Sequence, residues 1–219
     1  VFAGCKRLAT IYLPATIGYF DGSVFAGCDS VQEIVVDGAN ESFATYGGAL
    51  YTKDYEEILF YPRALDGDLT KLHPDLREIG ANVFQGNPKV TSVNFSKNIV
   101  SIGAYAFENC YNLTEVTFEA GGTALVVGNS AFAKCTKLAA IELPSYTTAI
   151  GASAFESDSA LTAFVIPESL NVLGDKALRG TRITEINIPA NVMNIGDGVF
   201  ANCTSLTAVT FEEGDKPLN

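Results

Sequence analysis

The chain has 219 residues, with 14 Lys and Arg against 25 Asp and Glu, and a formal net charge of −11. Such an acidic chain lacks the basic surface that nucleic acids or anionic membranes require, which excludes both as main partners. No run of about 18 apolar residues occurs, so no membrane-spanning segment is predicted. Hydrophobic residues make up 47% of the chain, which is typical of a folded domain.

A short hydrophobic motif recurs along the chain. Its anchor is a Phe, or once a Leu, and successive anchors lie 22 to 25 residues apart except at one longer step. The anchors are Phe2, Phe25, Phe84, Phe107, Phe132, Phe155, Leu178 and Phe200. The step from Phe25 to Phe84 spans 59 residues, which is 36 more than a step of 23. This spacing predicts about eight coils of roughly 23 residues, with one insertion.

Each anchor is followed by a run that matches L-x-x-V-x-F, as in residues 113–118. The run ends in an alternation of period two, which predicts a short strand. A proline directly follows four of the runs, at Pro14, Pro144, Pro167 and Pro189. A pair such as Ile102-Gly103 then closes most coils, and we expect the glycine to provide a bend. With one strand per coil, the eight runs predict a single sheet about 38 Å wide over a continuous core.

Residues 102–116 read I-G-A-Y-A-F-E-N-C-Y-N-L-T-E-V. They resemble the I-G-x-x-A-F-x-x-C-x-x-L-x-x-V signature of BspA-like leucine-rich repeats, a family of bacterial surface proteins, and the match recurs in nearly every coil. The resemblance implies a right-handed leucine-rich-repeat solenoid, β-rich with short helical turns. We expect residues 1–219 to form a single such domain, trimmed at both ends. The resemblance also implies an extracellular or cell-surface location, with a signal peptide removed.

Residues 37–72 are predicted to form a β-hairpin or meander insertion, with turns at 47–48 and 53–54. The segment resembles the hairpin insert of the same family, and we expect it to project from the solenoid. Six of the nine tyrosines lie in the first 61 residues, four of them in this insertion. Its aromatic rings either form a small core or flank a recognition patch. The candidate ligand-binding residues are Tyr12, Glu33, Tyr46, Tyr51 and Tyr55.

Residues capable of chemistry do not form a recognisable catalytic or metal-binding motif. The cysteines occupy one repeat position, which favours packing as free thiols: Cys5, Cys28, Cys110, Cys135 and Cys203. His73 is expected in a solvated loop, and residues 66–68 offer too few oxygens for a calcium loop. The adjacent carboxylates at 56–57 and 212–213 would face opposite ways on a strand. We therefore predict neither a cofactor nor a metal site.

The repetitive face and the aromatic insertion predict a non-catalytic surface binding or adhesion module. Its partner would be a host or bacterial surface protein or a glycan, as the resemblance implies. A rigid structural spacer within a larger surface protein is the main alternative, because the exposed positions of the runs are mostly small Thr and Ala. A carbohydrate-active enzyme is a further alternative, which would need two carboxylates about 5 to 10 Å apart in a groove.

Overall fold

The computed structural model describes residues 2–25 and 27–213. Residues 1, 26 and 214–219 of the predicted domain lie outside this description. The described chain is a solenoid of about nine coils with almost no helix, which confirms the predicted fold class. Its strands are β1 Thr10–Leu13, β2 Glu33–Val36, β3 Phe43–Tyr46, β4 Ala49–Thr52, β5 Glu57–Phe60, β6 Glu78–Ile79, β7 Ser92–Phe95, β8 Ser101–Ile102, β9 Glu115–Phe118, β10 Leu125–Val127, β11 Ala140–Ile141, β12 Thr147–Ile150, β13 Ala163–Phe164, β14 Val172–Leu173, β15 Glu185–Ile188, β16 Asn194–Ile195 and β17 Ala208–Phe211. Short 3-10 turns lie at Gly22–Phe25 and Leu69–Lys71.

The coils form two walls. The first, which we call the sheet wall, has nine strands in the order β16-β14-β12-β10-β8-β6-β5-β4-β3. The second, the ladder wall, holds the L-x-x-V-x-F strands, which pair as β1-β2, β7-β9, β11-β13 and β15-β17. The prediction that these runs make one continuous sheet is wrong. The continuous sheet instead contains the strands that end at the Ile-Gly pairs, while the long step between β2 and β7 interrupts the ladder wall.

The glycines of the Ile-Gly pairs allow close stacking of coils rather than a bend. Neither Gly103 nor Gly151 has a left-handed φ. A Cβ on Gly103 would lie 2.6 Å from the carbonyl oxygen of Ile79, and one on Gly151 would lie 2.6 Å from the backbone nitrogen of Asn129. These neighbours are backbone atoms of the preceding coil, so no side-chain rotation can relieve the contact. Glycine at this position therefore lets the sheet wall pair without interruption.

The chain reverses direction at residues on either side of each anchor. Around Phe107, the left-handed residues are Tyr105, with φ 59°, and Asn109, with φ 60°. Around Phe132 they are Ser130, with φ 54°, and Lys134, with φ 62°. The bend that sequence reasoning assigned to the Ile-Gly glycines thus lies two residues before and two residues after the anchor.

A stack of phenylalanine rings runs through the core, as the anchor spacing predicts. Phe84, Phe107, Phe132 and Phe155 are at most 1% exposed. Their successive ring centroids are 4.9, 5.2 and 5.5 Å apart, and the planes are within 19° of parallel. Leu178 continues the column and is also fully buried. Each ring is held between two others, so the core is continuous across these coils.

The long step between Phe25 and Phe84 contains an additional coil. Ile58 on β5 pairs in parallel with Ile79 on β6, 21 residues later. Residues 57–80 therefore make one full turn and return to the sheet wall. The Tyr61 ring lies 5.1 Å from Phe84 and so takes the anchor position. We call residues 57–80 the divergent coil, because a 3-10 turn replaces its ladder strand. This coil raises the total from the predicted eight to about nine.

The hairpin that precedes the divergent coil is part of the wall and does not project. Strands β3, β4 and β5 are antiparallel and continue the sheet wall, with turns at residues 47–48 and 53–54 as predicted. Alternate residues of β4 enter different cores: Leu50 packs with Phe43 in the smaller one, and Tyr51 packs with Ile58 in the larger. The expectation of a projecting insertion is wrong because both faces of β4 are buried.

The cysteine position joins neighbouring coils through hydrogen bonds. The buried thiols of Cys28, Cys110 and Cys203 donate to the carbonyl oxygens of Phe2, Phe84 and Leu178, at 3.0 to 3.1 Å. Burial raises the pKa of the Cys110 thiol to about 12, which keeps the donor proton in place. Packing inside the core, predicted for this position, is confirmed for these three residues and for Cys135, but not for Cys5, which is exposed.

Asp158 occupies the cysteine position of its coil and is fully buried. Its Oδ1 accepts a hydrogen bond from the Cys135 backbone N–H at 2.8 Å, while Oδ2 has no partner among the described residues. Desolvation raises the pKa of this carboxyl group well above its usual range. Asp158 is therefore protonated in the folded chain at pH values where an unfolded aspartate is ionised.

Replacing Asp158 with Asn is expected to stabilise the fold at pH 7 and to change it little at pH 3. Below about pH 3.9, the usual pKa of an aspartate in an unfolded chain, Asp158 is protonated in both the folded and the unfolded protein. Between about pH 3.9 and the raised pKa of the folded protein, only the unfolded chain ionises, which lowers the free energy of unfolding. Urea midpoints of the two proteins at both pH values test this. The exposed Asp197→Asn controls for removal of one charge. A stability difference that is equal at pH 3 and pH 7 would contradict the assignment.

Candidate binding surface

The five candidate ligand-binding residues lie in two places. Tyr12 on β1 and Glu33 on β2 are on the ladder wall, where the two strands pair in parallel with Tyr12 opposite Val35. Both side chains point to solvent, and Tyr12 is 72% exposed. The other three candidates lie at the hairpin end of the sheet wall. The structure therefore divides the predicted patch between the two walls.

Tyr46, Tyr51, Tyr55 and His73 form one group of contacting rings, which we call the aromatic cluster. The Tyr55 and His73 rings are stacked, with centroids 4.2 Å apart and planes 9° from parallel. Tyr46 meets His73 edge to face at 4.7 Å and is 6.4 Å from both Tyr51 and Tyr55. Tyr46 is 42% exposed, so its ring is the most accessible part of the cluster.

The backbone holds Tyr55 in an unusual conformation. Its φ of 64° is left-handed, which is rare for a bulky side chain. The Tyr55 N–H donates to the carbonyl oxygen of Thr52 at 2.9 Å and closes the turn after β4. Thr52 Oγ also donates to Asp54 at 2.7 Å and accepts from the Glu57 N–H at 3.0 Å. These bonds fix the turn that places the Tyr55 ring on His73.

Tyr51 supports the cluster from beneath. Its side chain is 0% exposed, and its hydroxyl oxygen accepts a hydrogen bond from the His73 backbone N–H at 3.3 Å. Burial raises the pKa of the Tyr51 hydroxyl to about 12. A ligand in solvent cannot reach this ring directly, so Tyr51 fits the small-core alternative expected for the insertion tyrosines. Its role is to position the rings above it.

His73 is a member of the cluster that sequence reasoning missed. Its side chain is 15% exposed, so the expectation of a solvated loop histidine is wrong. Its Nδ1 accepts a hydrogen bond from the Asp75 backbone N–H at 3.2 Å. The spacing was the available signal: His73 follows Tyr51 by 22 residues, which is one coil length and places the two in neighbouring coils.

The accessible part of the cluster is mainly the Tyr46 side chain, because Tyr51 is buried and the rings of Tyr55 and His73 are stacked on each other. Across residues 2–25 and 27–213, no group of three His, Cys, Asp or Glu side chains has the arrangement to hold a metal ion. Within those same ranges, no helix has the length and apolar character needed to cross a membrane.

Two walls of short strands around a stacked core define a leucine-rich-repeat protein. The chain belongs to the BspA-type leucine-rich-repeat family, whose model matches six repeat copies over residues 1–52 and 74–214. The unmatched segment 53–73 contains Tyr55, His73 and the 3-10 turn of the divergent coil. No curated protein sequence matches the chain.

Solved structures with the same fold come from bacterial proteins. A leucine-rich cell surface protein from Faecalibacterium prausnitzii is 24% identical, with a TM-score of 0.62 over 94% of this chain and 48% of that one. The T. pallidum leucine-rich-repeat protein TpLRR is 25% identical, with a TM-score of 0.61 over 82% and 83% of the two chains. The pneumococcal vaccine antigen PcpA is 20% identical, with a TM-score of 0.57 over 94% and 46%. The chain thus spans about half the length of PcpA and of the F. prausnitzii protein.

Proposed function

We propose that this chain is a non-catalytic binding module of a bacterial surface protein and that it recognises a protein or glycan ligand outside the cell. The observation that carries the proposal is the exposed Tyr46 ring, which is held in a preformed cluster by Tyr55 and His73. Membership of a family of bacterial surface proteins, and likeness to a cell surface protein and a vaccine antigen, support a surface location.

Tyrosine is well suited to act as an anchor in recognition. It combines a large apolar face with a hydroxyl group, and it is enriched among the residues that dominate binding energy. Tyr46 is already packed against the rings of Tyr51, Tyr55 and His73, so a ligand would not have to order it. That preorganisation lowers the entropic cost of binding. Tyr12 and Glu33, on the other wall, would provide a separate contact for a large ligand.

The Tyr46→Ala variant is expected to bind its ligand at least about tenfold more weakly, with an unchanged urea midpoint. Binding would be titrated against fibronectin, fibrinogen, collagen and a glycan array. Tyr111→Ala is the matched control, because Tyr111 is similarly exposed and lies outside the cluster. Tyr51→Phe reports on support from beneath, since it removes only the hydroxyl that accepts from His73.

Two results would contradict the proposal. One is an equal loss of ligand affinity in Tyr46→Ala and Tyr111→Ala, which would show that the cluster is not the binding site. The other is no binding to any probe at about 100 μM, a range equivalent to about −5.5 kcal/mol. That second result would favour a rigid spacer, whose small-residue ladder wall needs no ligand.

A further inference from the structure

A cleft of about 480 Å³ lies where the first coil meets the hairpin and the divergent coil. Its lining includes residues 18–21 of the first coil, together with Thr52, Glu57, Leu59 and residues 80–81. Leu59 packs against the smaller core, whereas Ile79, next to the cleft in sequence, belongs to the larger one. The cleft therefore lies at the junction of the two cores, and junctions between packed units are frequent ligand sites.

Glu57 places a half-buried carboxylate in this cleft. Its backbone N–H donates to Thr52 Oγ at 3.0 Å, but its carboxylate has no ion-pair partner among the described residues. Desolvation by burial, together with repulsion from Glu78 and Asp54, raises the pKa of the Glu57 carboxyl group. A cation in the cleft would therefore relieve an unfavourable local charge.

The nearby basic side chains are directed elsewhere. Lys53 Nζ donates to the carbonyl oxygen of Asn40 at 2.7 Å, and Arg77 Nε lies 4.0 Å from Glu56. Within the described part of the chain, no lysine or arginine lines the cleft. The cation that would balance Glu57 therefore has to come from a partner.

The acidic character is confined to this end of the sheet wall. Glu57 pairs with Glu78 on the next strand, and the same row continues as Ser101, Val126 and Ala149, which are uncharged. Glu57 also lies in the segment 53–73 that the family model leaves unmatched. The cleft is thus a feature of the divergent part of this chain rather than of its regular repeats.

The other lining residues favour arginine as the cation. Tyr19 is 82% exposed and offers the face of its ring at the cleft. Leu59 supplies an apolar surface, because it is only partly buried against the smaller core. A guanidinium group pairs with a carboxylate through two hydrogen bonds and stacks on aromatic rings, while its aliphatic stem covers apolar surface.

We propose that this cleft binds the side chain of an arginine residue on a partner protein, with the guanidinium group paired to Glu57. The Tyr19 ring stacks on the guanidinium plane, and the aliphatic stem packs on Leu59. This inference goes beyond the proposed function, because Tyr46, Tyr55 and His73 are not among the residues that line the cleft.

The test is an NMR titration of the isotope-labelled chain with a capped Gly-Arg-Gly tripeptide. We expect saturable shifts of the Thr52 and Glu57 amide signals, with a Kd of about 1 to 5 mM. A tripeptide with citrulline in place of arginine keeps the shape without the charge and is expected to bind at least about fivefold more weakly. Methylguanidinium, which lacks the stem, is expected to bind at least about threefold more weakly.

Variants of the protein provide the second arm. Glu57→Gln is expected to weaken tripeptide binding about fivefold or more, whereas Glu185→Gln, which removes an equal charge outside the cleft, is expected to change it less than about twofold. Tyr19→Ala is expected to weaken binding about threefold, and Tyr111→Ala is its exposed control. Because Tyr19 is exposed, its replacement tests the cleft even if Glu57→Gln were to alter the fold.

Four results would each overturn the proposal. They are equal binding of the citrulline tripeptide, equal binding of methylguanidinium, equal effects of Glu57→Gln and Glu185→Gln, and no saturable shift up to about 20 mM. Equal binding of methylguanidinium would instead identify a free guanidinium compound as the ligand. Tyr46→Ala is expected to bind the tripeptide as the parent does, so this proposal and the proposed function fail separately.

Discussion

Replacing Phe132 with Ala is expected to destabilise the fold by about 3 to 5 kcal/mol, the range typical of large-to-small changes of an aromatic core residue. Phe132 is fully buried and stacked at 5.2 Å on Phe107 and at 5.5 Å on Phe155. The neighbouring rings are fixed by their own coils, so they cannot move together to fill the cavity. The loss combines the transfer free energy of the ring with the cost of that cavity.

The measurement is the urea midpoint of each variant under identical conditions. Phe211→Ala is the matched control, because Phe211 is 56% exposed in the last described strand and its removal leaves no enclosed cavity. We expect this control to lose less than about 1 kcal/mol. Similar losses in the two variants would show that the phenylalanine stack is not the main source of core stability.

The Gly103→Ala variant is expected to lose about 2 to 3 kcal/mol through overpacking. A Cβ at this position would lie 2.6 Å from the Ile79 carbonyl oxygen and 2.8 Å from the Ala81 backbone nitrogen. Relief would require two coils of the sheet wall to separate, which would stretch the hydrogen bonds between β6 and β8.

Gly38→Ala distinguishes this steric effect from the general consequences of losing a glycine. Gly38 also lacks a left-handed φ, and a Cβ there would meet no atom within 4 Å. We expect this control to be neutral, or more stable by about 0.4 to 1 kcal/mol, because alanine restricts the unfolded chain. If the two variants have equal urea midpoints, close backbone approach is not the reason for glycine in the Ile-Gly pairs.

The repeat pattern was enough to predict the solenoid, because columns such as Phe107 and Phe132 report burial directly through their spacing. It was not enough to predict which strands form the continuous sheet. That outcome depends on how closely two backbones approach at Gly103 and Gly151, a distance that side-chain periodicity does not encode. The bends were misplaced for a related reason, since Tyr105 and Asn109 adopt left-handed φ values without being glycine.

The candidate site was predicted only in part. Residue type identified the tyrosines, but Tyr46 and Tyr51 differ in exposure because β4 is covered on both faces and the end of β3 is not. His73 lies in the divergent coil. This coil lacks the L-x-x-V-x-F run, so the repeat pattern did not identify it as a coil and did not place His73 beside Tyr51.

The division of the core at Leu50 and Tyr51 makes this chain two folding units that share one strand. Coils of a solenoid interact with their nearest neighbours, so opening the smaller unit removes contacts at a single boundary. We therefore expect the first two coils to unfold at a lower free energy than the whole domain and to refold against the remaining coils. Tyr51 and Tyr55 pack on the larger core, so their positions in the aromatic cluster do not depend on the smaller one.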